Sequence, residues 1–184
     1  MKFKNLLLAI VIVLVAVAAN AQVKKGDKNL NIGVGLASAL YSGSGYSSKI
    51  PPISASLEYV LKDDLFDGKG ALGVGGYLGY TGAKWDYMGW GWKYNNIIVG
   101  PRGYVHYHLV DKLDTYAGAL LGYDIVSAKE TGNSIPGYNY SATASGVIFS
   151  GFIGARYFFN EKFAVMGELG SGIAYLNLGV TLKF

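Results

Sequence analysis

The sequence contains no cysteine, few prolines and a single long apolar run. The absence of cysteine excludes disulfides, thiolate-bound zinc, thiol catalysis and lipid attachment at a cysteine. With only four prolines, long extended segments can form, because proline is the residue that cannot donate a hydrogen bond to a sheet. Beyond the apolar run, no segment shows an apolar stripe at helical spacing. The 27 glycines and 15 tyrosines instead favour strands and close packing.

The apolar run lies at the N-terminus and has the organisation of an export signal. Lys2 and Lys4 precede fourteen apolar residues, Leu6 to Ala19, and small residues at positions 19 and 21 form a cleavage site before Gln22. The alternative is an uncleaved membrane anchor, but a spanning helix needs about 20 apolar residues. We therefore predict a signal peptide over residues 1–21 and one mature domain over residues 22–184.

The charge of the mature chain is small. Removal of Lys2 and Lys4 lowers the formal net charge from +4 to +2. The mature chain has no block of basic residues beyond Lys24-Lys25, so the sequence gives no basis for a nucleic-acid partner.

Eight segments of the mature chain alternate between apolar and polar or small residues, which is the pattern of β-strands with two different faces. The last nine residues alternate without a break, with an apolar face that ends at Phe184. The segments cover approximately residues 29–40, 53–61, 71–83, 95–109, 115–125, 146–159, 163–169 and 176–184.

An exported chain with alternating strands is a candidate for a barrel in the outer membrane. In such a barrel the alternation predicts which side chains face lipid and which face the lumen. Because the period is two, neighbouring residues of one strand point to opposite faces. Pro101 falls on the outward face of the fourth segment, where we expect a bulge or a local break in the ladder. The pattern places Leu57, Leu121 and Val180 outward, and Ser56, Leu120 and Thr181 inward.

The connections between the segments also follow a pattern. Those after the second, fourth and sixth segments are short and contain turn residues, whereas those after the first, third and fifth have about ten residues or more. Outer-membrane barrels have short periplasmic turns and longer external loops. The last external link, near Gly170-Ser171-Gly172, is a short exception. An even number of strands places both termini on the periplasmic side, where the last strand can close onto the first.

Five charged residues lie on the inward faces of the segments, where we expect an ion network: Glu58, Arg102, Asp124, Arg156 and Glu168. An arginine on the lipid face would cost about 2 to 4 kcal/mol at the bilayer midplane, so inward placement beside a carboxylate is favoured. For Arg102 and Arg156 we expect Glu168, on the adjacent seventh segment, to be such a partner. The principal interpretation is a structural network that fills a narrow lumen, and the alternative is a path for protons or solutes.

Two features carry a resemblance to a known family. Gly100-Pro101-Arg102-Gly103-Tyr104 is echoed by Gly154-Ala155-Arg156-Tyr157-Phe158, and the terminal Phe184 follows Leu182 at the alternating spacing. The mature chain thus resembles the small eight-stranded outer-membrane barrels, which include the outer-membrane protein A (OmpA) transmembrane domain and its OmpX-like relatives.

The resemblance implies an eight-stranded, antiparallel, up-and-down transmembrane β-barrel in the outer membrane, in contact with its lipids. It also implies that Leu182 and Phe184 form the signal that the barrel-assembly machinery recognises. A structural, adhesive or stress-related role follows from it, with no reaction and no cofactor.

Other function classes receive less support from the sequence. Some eight-stranded barrels modify lipids, but His106 and His108 lie near the periplasmic turn, on the wrong side for a lipid of the outer leaflet. No metal-binding, phosphate-loop or serine-hydrolase motif occurs. A pore is weaker still, because eight strands enclose little more than their own side chains. A soluble periplasmic binding barrel is the alternative fold.

The link after the third segment contains all three tryptophans. One interpretation is an aromatic girdle at the outer membrane interface. The other is a surface platform that binds an external glycan or protein by ring stacking. The candidate platform residues are Trp85, Asp86, Tyr87, Trp90, Trp92 and Lys93.

Overall fold

The computed structural model describes residues 23–41, 45–46, 48–132, 141–142 and 144–184, so the predicted signal peptide lies outside the described residues. Eight long strands follow one another along the chain. No helix in the described part has the length and hydrophobicity to cross a bilayer. The strands are β1 (Lys28–Ser38), β2 (Ser48–Leu65), β3 (Gly70–Tyr87), β4 (Trp90–Val110), β5 (Leu113–Gly132), β6 (Gly146–Phe158), β7 (Phe163–Gly170) and β8 (Ala174–Lys183).

Each strand pairs antiparallel with the next, and β8 pairs antiparallel with β1, so the sheet closes into a ring. At the seam, the backbone N–H groups of Lys28 and Phe184 each donate to the other residue's carbonyl oxygen at 3.0 Å. Glycine is needed at position 179, because a Cβ there would lie 2.0 Å from the carbonyl oxygen of Ile32. The predicted eight-stranded barrel is confirmed, and closure removes the unpaired sheet edges that a bilayer does not tolerate.

The two faces of the barrel are those that the alternation predicted. Leu57 and Leu121 are about half exposed on the outside, and Val180 is partly exposed there. Their inward neighbours Ser56, Leu120 and Thr181 are all buried.

An apolar band bounded by aromatic residues surrounds the barrel. Ten residues of β4 separate Ile97, which pairs with Tyr80, from Tyr107 near the opposite end. At about 3.3 Å per residue and a strand tilt of about 40°, this corresponds to a band about 25 Å tall, the height of a membrane-spanning barrel surface. The outward aromatic residues are Tyr80, Tyr123 and Tyr175 near one edge, and Tyr59, Tyr107 and Tyr157 near the other.

Side chains fill the interior in layers. An apolar cluster lies toward the end of the barrel that is opposite the termini, and below it an aromatic cluster surrounds buried ion pairs. The apolar cluster consists of Tyr77, Ile98, Leu120, Ile173 and Ala174, and the aromatic one of Tyr104, Tyr116 and Phe152.

The structure corrects the predicted third connection. β3 and β4 are longer than expected and are joined only by Met88 and Gly89, whose φ angles of 49° and 83° form a tight left-handed turn. The expected long aromatic loop is therefore a β-hairpin, because its residues continue the alternation of both strands. The fifth segment also extends further than expected, to Gly132, and a two-residue strand, Ser141–Ala142, pairs with it.

Pro101 breaks the ladder locally without a bulge. It pairs with Gly76 of β3 in an unshifted register, while the pairing with β5 passes from Val99↔Tyr123 to Arg102↔Leu120 in the same register. The missing N–H group of proline is thus accommodated within a continuous strand.

Candidate functional site

Three strands continue beyond the apolar band on the side opposite the chain termini. β3, β4 and β5 project together as a sheet, and the hairpin between β3 and β4 forms its tip. In barrels of this kind the termini and short turns are periplasmic, which makes the projecting sheet external. We call this part the outer sheet: residues 82–87 of β3, 90–95 of β4 and 127–132 of β5.

Five aromatic side chains share the inner face of the outer sheet. Trp85 pairs directly with Trp92, and Tyr87 pairs with Trp90. The ring centroids lie 5.7 Å apart for Trp85 and Trp90, 6.1 Å apart for Trp90 and Trp92, and 6.5 Å apart for Trp92 and Tyr94. We call these residues the aromatic ladder.

The aromatic ladder faces the mouth of the barrel and not the lipid. Trp85 and Tyr87 have the same strand parity as the buried, inward residues Tyr77 and Thr81, and Tyr94 has the parity of Asn96. A membrane girdle requires outward side chains, so the structure does not support that interpretation for these rings. Two of the six candidate platform residues, Asp86 and Lys93, lie on the opposite, outer face of the outer sheet and so are not part of the aromatic ladder.

Polar groups form a floor below the aromatic ladder. The Asn96 amide donates to both carboxylate oxygens of Asp124, at 2.8 and 3.0 Å, and the Tyr41 hydroxyl donates to the Asn96 carbonyl oxygen. Burial, with Tyr46 and Asp124 as further causes, raises the pKa of Tyr41 to about 12, so this hydroxyl remains a donor at neutral pH. Higher up, the indole N–H of Trp90 donates to Glu130.

The predicted lumen residues divide into two ion-paired groups. In the first, Arg156 donates to Glu58 at 2.8 Å and to Asp114 at 3.3 Å. His106 lies between the same carboxylates, with Nε2 at 2.6 Å from Glu58 and Nδ1 at 3.0 Å from Asp114. All four side chains have no exposed surface.

The second group is a buried bidentate pair. Arg102 donates to the two oxygens of Glu168 at 2.7 and 3.3 Å, and its guanidinium carbon lies 3.6 Å from the ring centroid of Phe152. The Tyr116 hydroxyl donates to Glu168 at 3.4 Å. Charges taken out of water in this way require partners, because an unpaired buried charge is strongly destabilising.

Not every predicted pairing occurs. Arg156 hydrogen-bonds Glu58 and Asp114, and the expected contact with Glu168 is wrong, since Glu168 belongs to Arg102. Asp124 lies apart from the ion pairs, on the floor of the mouth.

Sequence reasoning missed His106 and Asp114 as members of the network. The alternation places His106 inward as a polar residue without a partner in the network, and Asp114 falls in the link between the fourth and fifth segments. The parity that Asp114 shares with Tyr116 and Leu120 was the signal that pointed inward.

The structure leaves no free ring nitrogen on His106 for a catalytic role, since each nitrogen faces a carboxylate. His108 lies nearby, with its Nδ1 at 3.7 Å from Asp114. Within the described ranges, no group of three or more His, Asp or Glu side chains is arranged to hold a metal ion.

The closed ring, the outward apolar band and the paired interior define the class of the protein, a transmembrane β-barrel of eight strands. The family model of the outer membrane protein beta-barrel domain matches residues 9–181. The chain belongs to this family, and its location is the outer membrane.

Among solved structures, the chain is similar to Ail, the attachment invasion locus protein of Yersinia pestis, in complex with the heparin analogue sucrose octasulfate. The two share 17% identity, with 87% of this chain and 99% of that chain covered and a TM-score of 0.55. The N-terminal barrel domain of Pseudomonas aeruginosa OprF shares 16% identity over 89% of this chain and 100% of that chain, with a TM-score of 0.49. No curated protein matches the chain.

Proposed function

We propose that the protein is a noncatalytic outer-membrane barrel whose outer sheet binds an external glycan. The observation that carries the proposal is the aromatic ladder, because its rings are held on one face of a rigid hairpin that projects beyond the membrane. Sites built on paired strands hold their side chains more precisely than sites on loops.

The chemistry of the mouth suits a sugar. Aromatic rings provide flat apolar surfaces for stacking, and Tyr and Trp add polar edges. Tyr87 is 60% exposed and Trp90 is 38% exposed, so the tip of the ladder is accessible to a ligand. The carboxylates of Glu130 and Asp124 are acceptors for hydroxyl groups. Ail was solved with sucrose octasulfate. This fully sulfated sugar has no hydroxyl group to donate to these carboxylates, so it serves as the anionic contrast to neutral glycans.

The alternatives have less support from the geometry. Both nitrogens of His106 are engaged by carboxylates deep in the lumen, which argues against a catalytic base there. The apolar cluster around Ile98 and Leu120 fills the lumen below the mouth, which argues against an open pore.

A glycan array tests the proposal. The labelled, detergent-refolded chain is applied to an array of neutral glycans, with sucrose octasulfate as the anionic contrast, and is compared with the double variant Y87A/W90A. Y107A is the matched control, because Tyr107 is an outward ring at the other end of the barrel. Each lost ring contact removes about 1 kcal/mol, so binding weakens about thirtyfold in the double variant and is unchanged in Y107A. Absence of any bound glycan, or equal binding by Y87A/W90A, would refute the proposal.

A further inference from the structure

Three lysines form a row across the outer face of the outer sheet. Lys84 of β3 pairs directly with Lys93 of β4, and Lys93 pairs directly with Lys129 of β5. Directly opposed residues of antiparallel strands have Cβ atoms about 5 Å apart on the same face. The three side chains therefore stand next to one another, on the face opposite the aromatic ladder. We call them the lysine row.

The lysine row lies at a defined height above the apolar band. The outward layers of the three strands succeed one another as Tyr80, Ile97 and Ile125, then Gly82, Asn95 and Ser127, and then the row itself. The row is thus four residues beyond the aromatic edge, or about 10 Å above it for strands of this tilt. The headgroup region of one leaflet is about 5 to 8 Å thick. Lysine stems can reach back over that distance to place their ammonium groups among the headgroups.

The row concentrates positive charge on one face of the outer sheet. Like charges that lie directly opposite one another destabilise a sheet. Lys84 is partly compensated by an ion pair with Asp86 at 2.5 Å. Lys93 and Lys129 are both exposed at neighbouring positions of adjacent strands.

We propose that the lysine row binds phosphate groups of lipid headgroups in the outer leaflet. Ammonium groups bind phosphate as point charges, and adjacent lysines on three strands can approach one phosphate from several sides. This site is separate from the proposed glycan site, because the two occupy opposite faces of the outer sheet.

Spin-labelled lipids in phosphatidylcholine vesicles test the assignment. The electron spin resonance spectrum of the refolded full chain gives the selectivity of its lipid shell for labelled phosphatidic acid over labelled phosphatidylcholine. The variant K93Q/K129Q leaves the Lys84–Asp86 pair in place. The control K62Q/K69Q removes the same charge from exposed lysines at the periplasmic end. Faster migration of unheated samples on a gel shows that each variant is folded.

The selectivity for phosphatidic acid falls about fivefold for each lysine removed in K93Q/K129Q, since each lysine near an anionic surface contributes on this scale. The loss is smaller in K62Q/K69Q, because these two lysines are not paired with each other across strands. The selectivity of the parent decreases at 1 M salt, where the screening length is about 3 Å. Equal loss in both variants would refute a specific row.

Two further results would overturn the lipid assignment. Displacement of the labelled lipid by millimolar inorganic phosphate would show that the row takes a soluble phosphate. Unchanged lipid selectivity in K93Q/K129Q, with loss of sucrose octasulfate binding, would assign the row to an external polyanion.

Discussion

The Arg102–Glu168 pair offers the sharpest test of the interior. Both side chains are buried and joined by hydrogen bonds of 2.7 and 3.3 Å. Removing one partner of a buried ion pair typically costs about 3 to 5 kcal/mol, because the other charge remains buried without compensation. We expect R102M and E168Q each to lower the free energy of unfolding by about this amount.

The double variant R102M/E168Q separates pairing from mere proximity. Replacement of both charges removes the uncompensated group, so the double variant is expected to lose no more stability than one single variant. The coupling free energy is then at least about 3 kcal/mol. Reversible urea unfolding in phospholipid vesicles gives the free energy of unfolding of the parent, the two single variants and the double variant. E161Q, in an exposed turn, is the control and stays within about 0.5 kcal/mol of the parent.

A second cycle tests the specificity of the network. Arg156 is paired with Glu58 and Asp114 and has no direct hydrogen bond with Glu168. Tyr116 lies between the two: the guanidinium carbon of Arg156 is 4.4 Å from its ring centroid, and its hydroxyl donates to Glu168. The cycle of R156M with E168Q is therefore expected to give a coupling free energy below about 1 kcal/mol. A larger coupling for Arg156 than for Arg102 would refute the two-group arrangement of the lumen.

Three further predictions address the membrane face, assembly and the hairpin. A lipid-soluble thiol probe labels L121C and not L120C, and the reverse result would contradict the assignment of the two faces. F184A lowers the amount of inserted protein in cells while refolding in detergent persists, because it removes only an exposed ring and keeps the backbone hydrogen bonds of the seam with Lys28; normal membrane levels would count against an assembly signal. G89V frays the hairpin tip at a cost of about 1 to 2 kcal/mol, since its φ is 83°; amide exchange at Tyr87 accelerates, and unchanged exchange there would argue against the strained turn.

The sequence by itself determined the eight strands, their two faces and the inward position of the charged residues. These features depend on alternation within a single strand, a local property with a period of two. The ends of the strands were less predictable. Trp85 to Tyr94 contains glycine and aromatic residues that suit a loop as well as a strand, and only the pairing of β3 with β4 decided that it is a hairpin.

Tertiary structure alone decided which of these side chains meet. Arg156 and Glu58 are separated by 98 positions in the chain, and barrel closure brings them together. The lysine row likewise exists only through the registers of two strand pairs, because a shift of one residue in either pairing would turn a lysine to the opposite face. Alternation fixes the face of a residue, whereas its neighbours on that face depend on how the strands are staggered around the barrel.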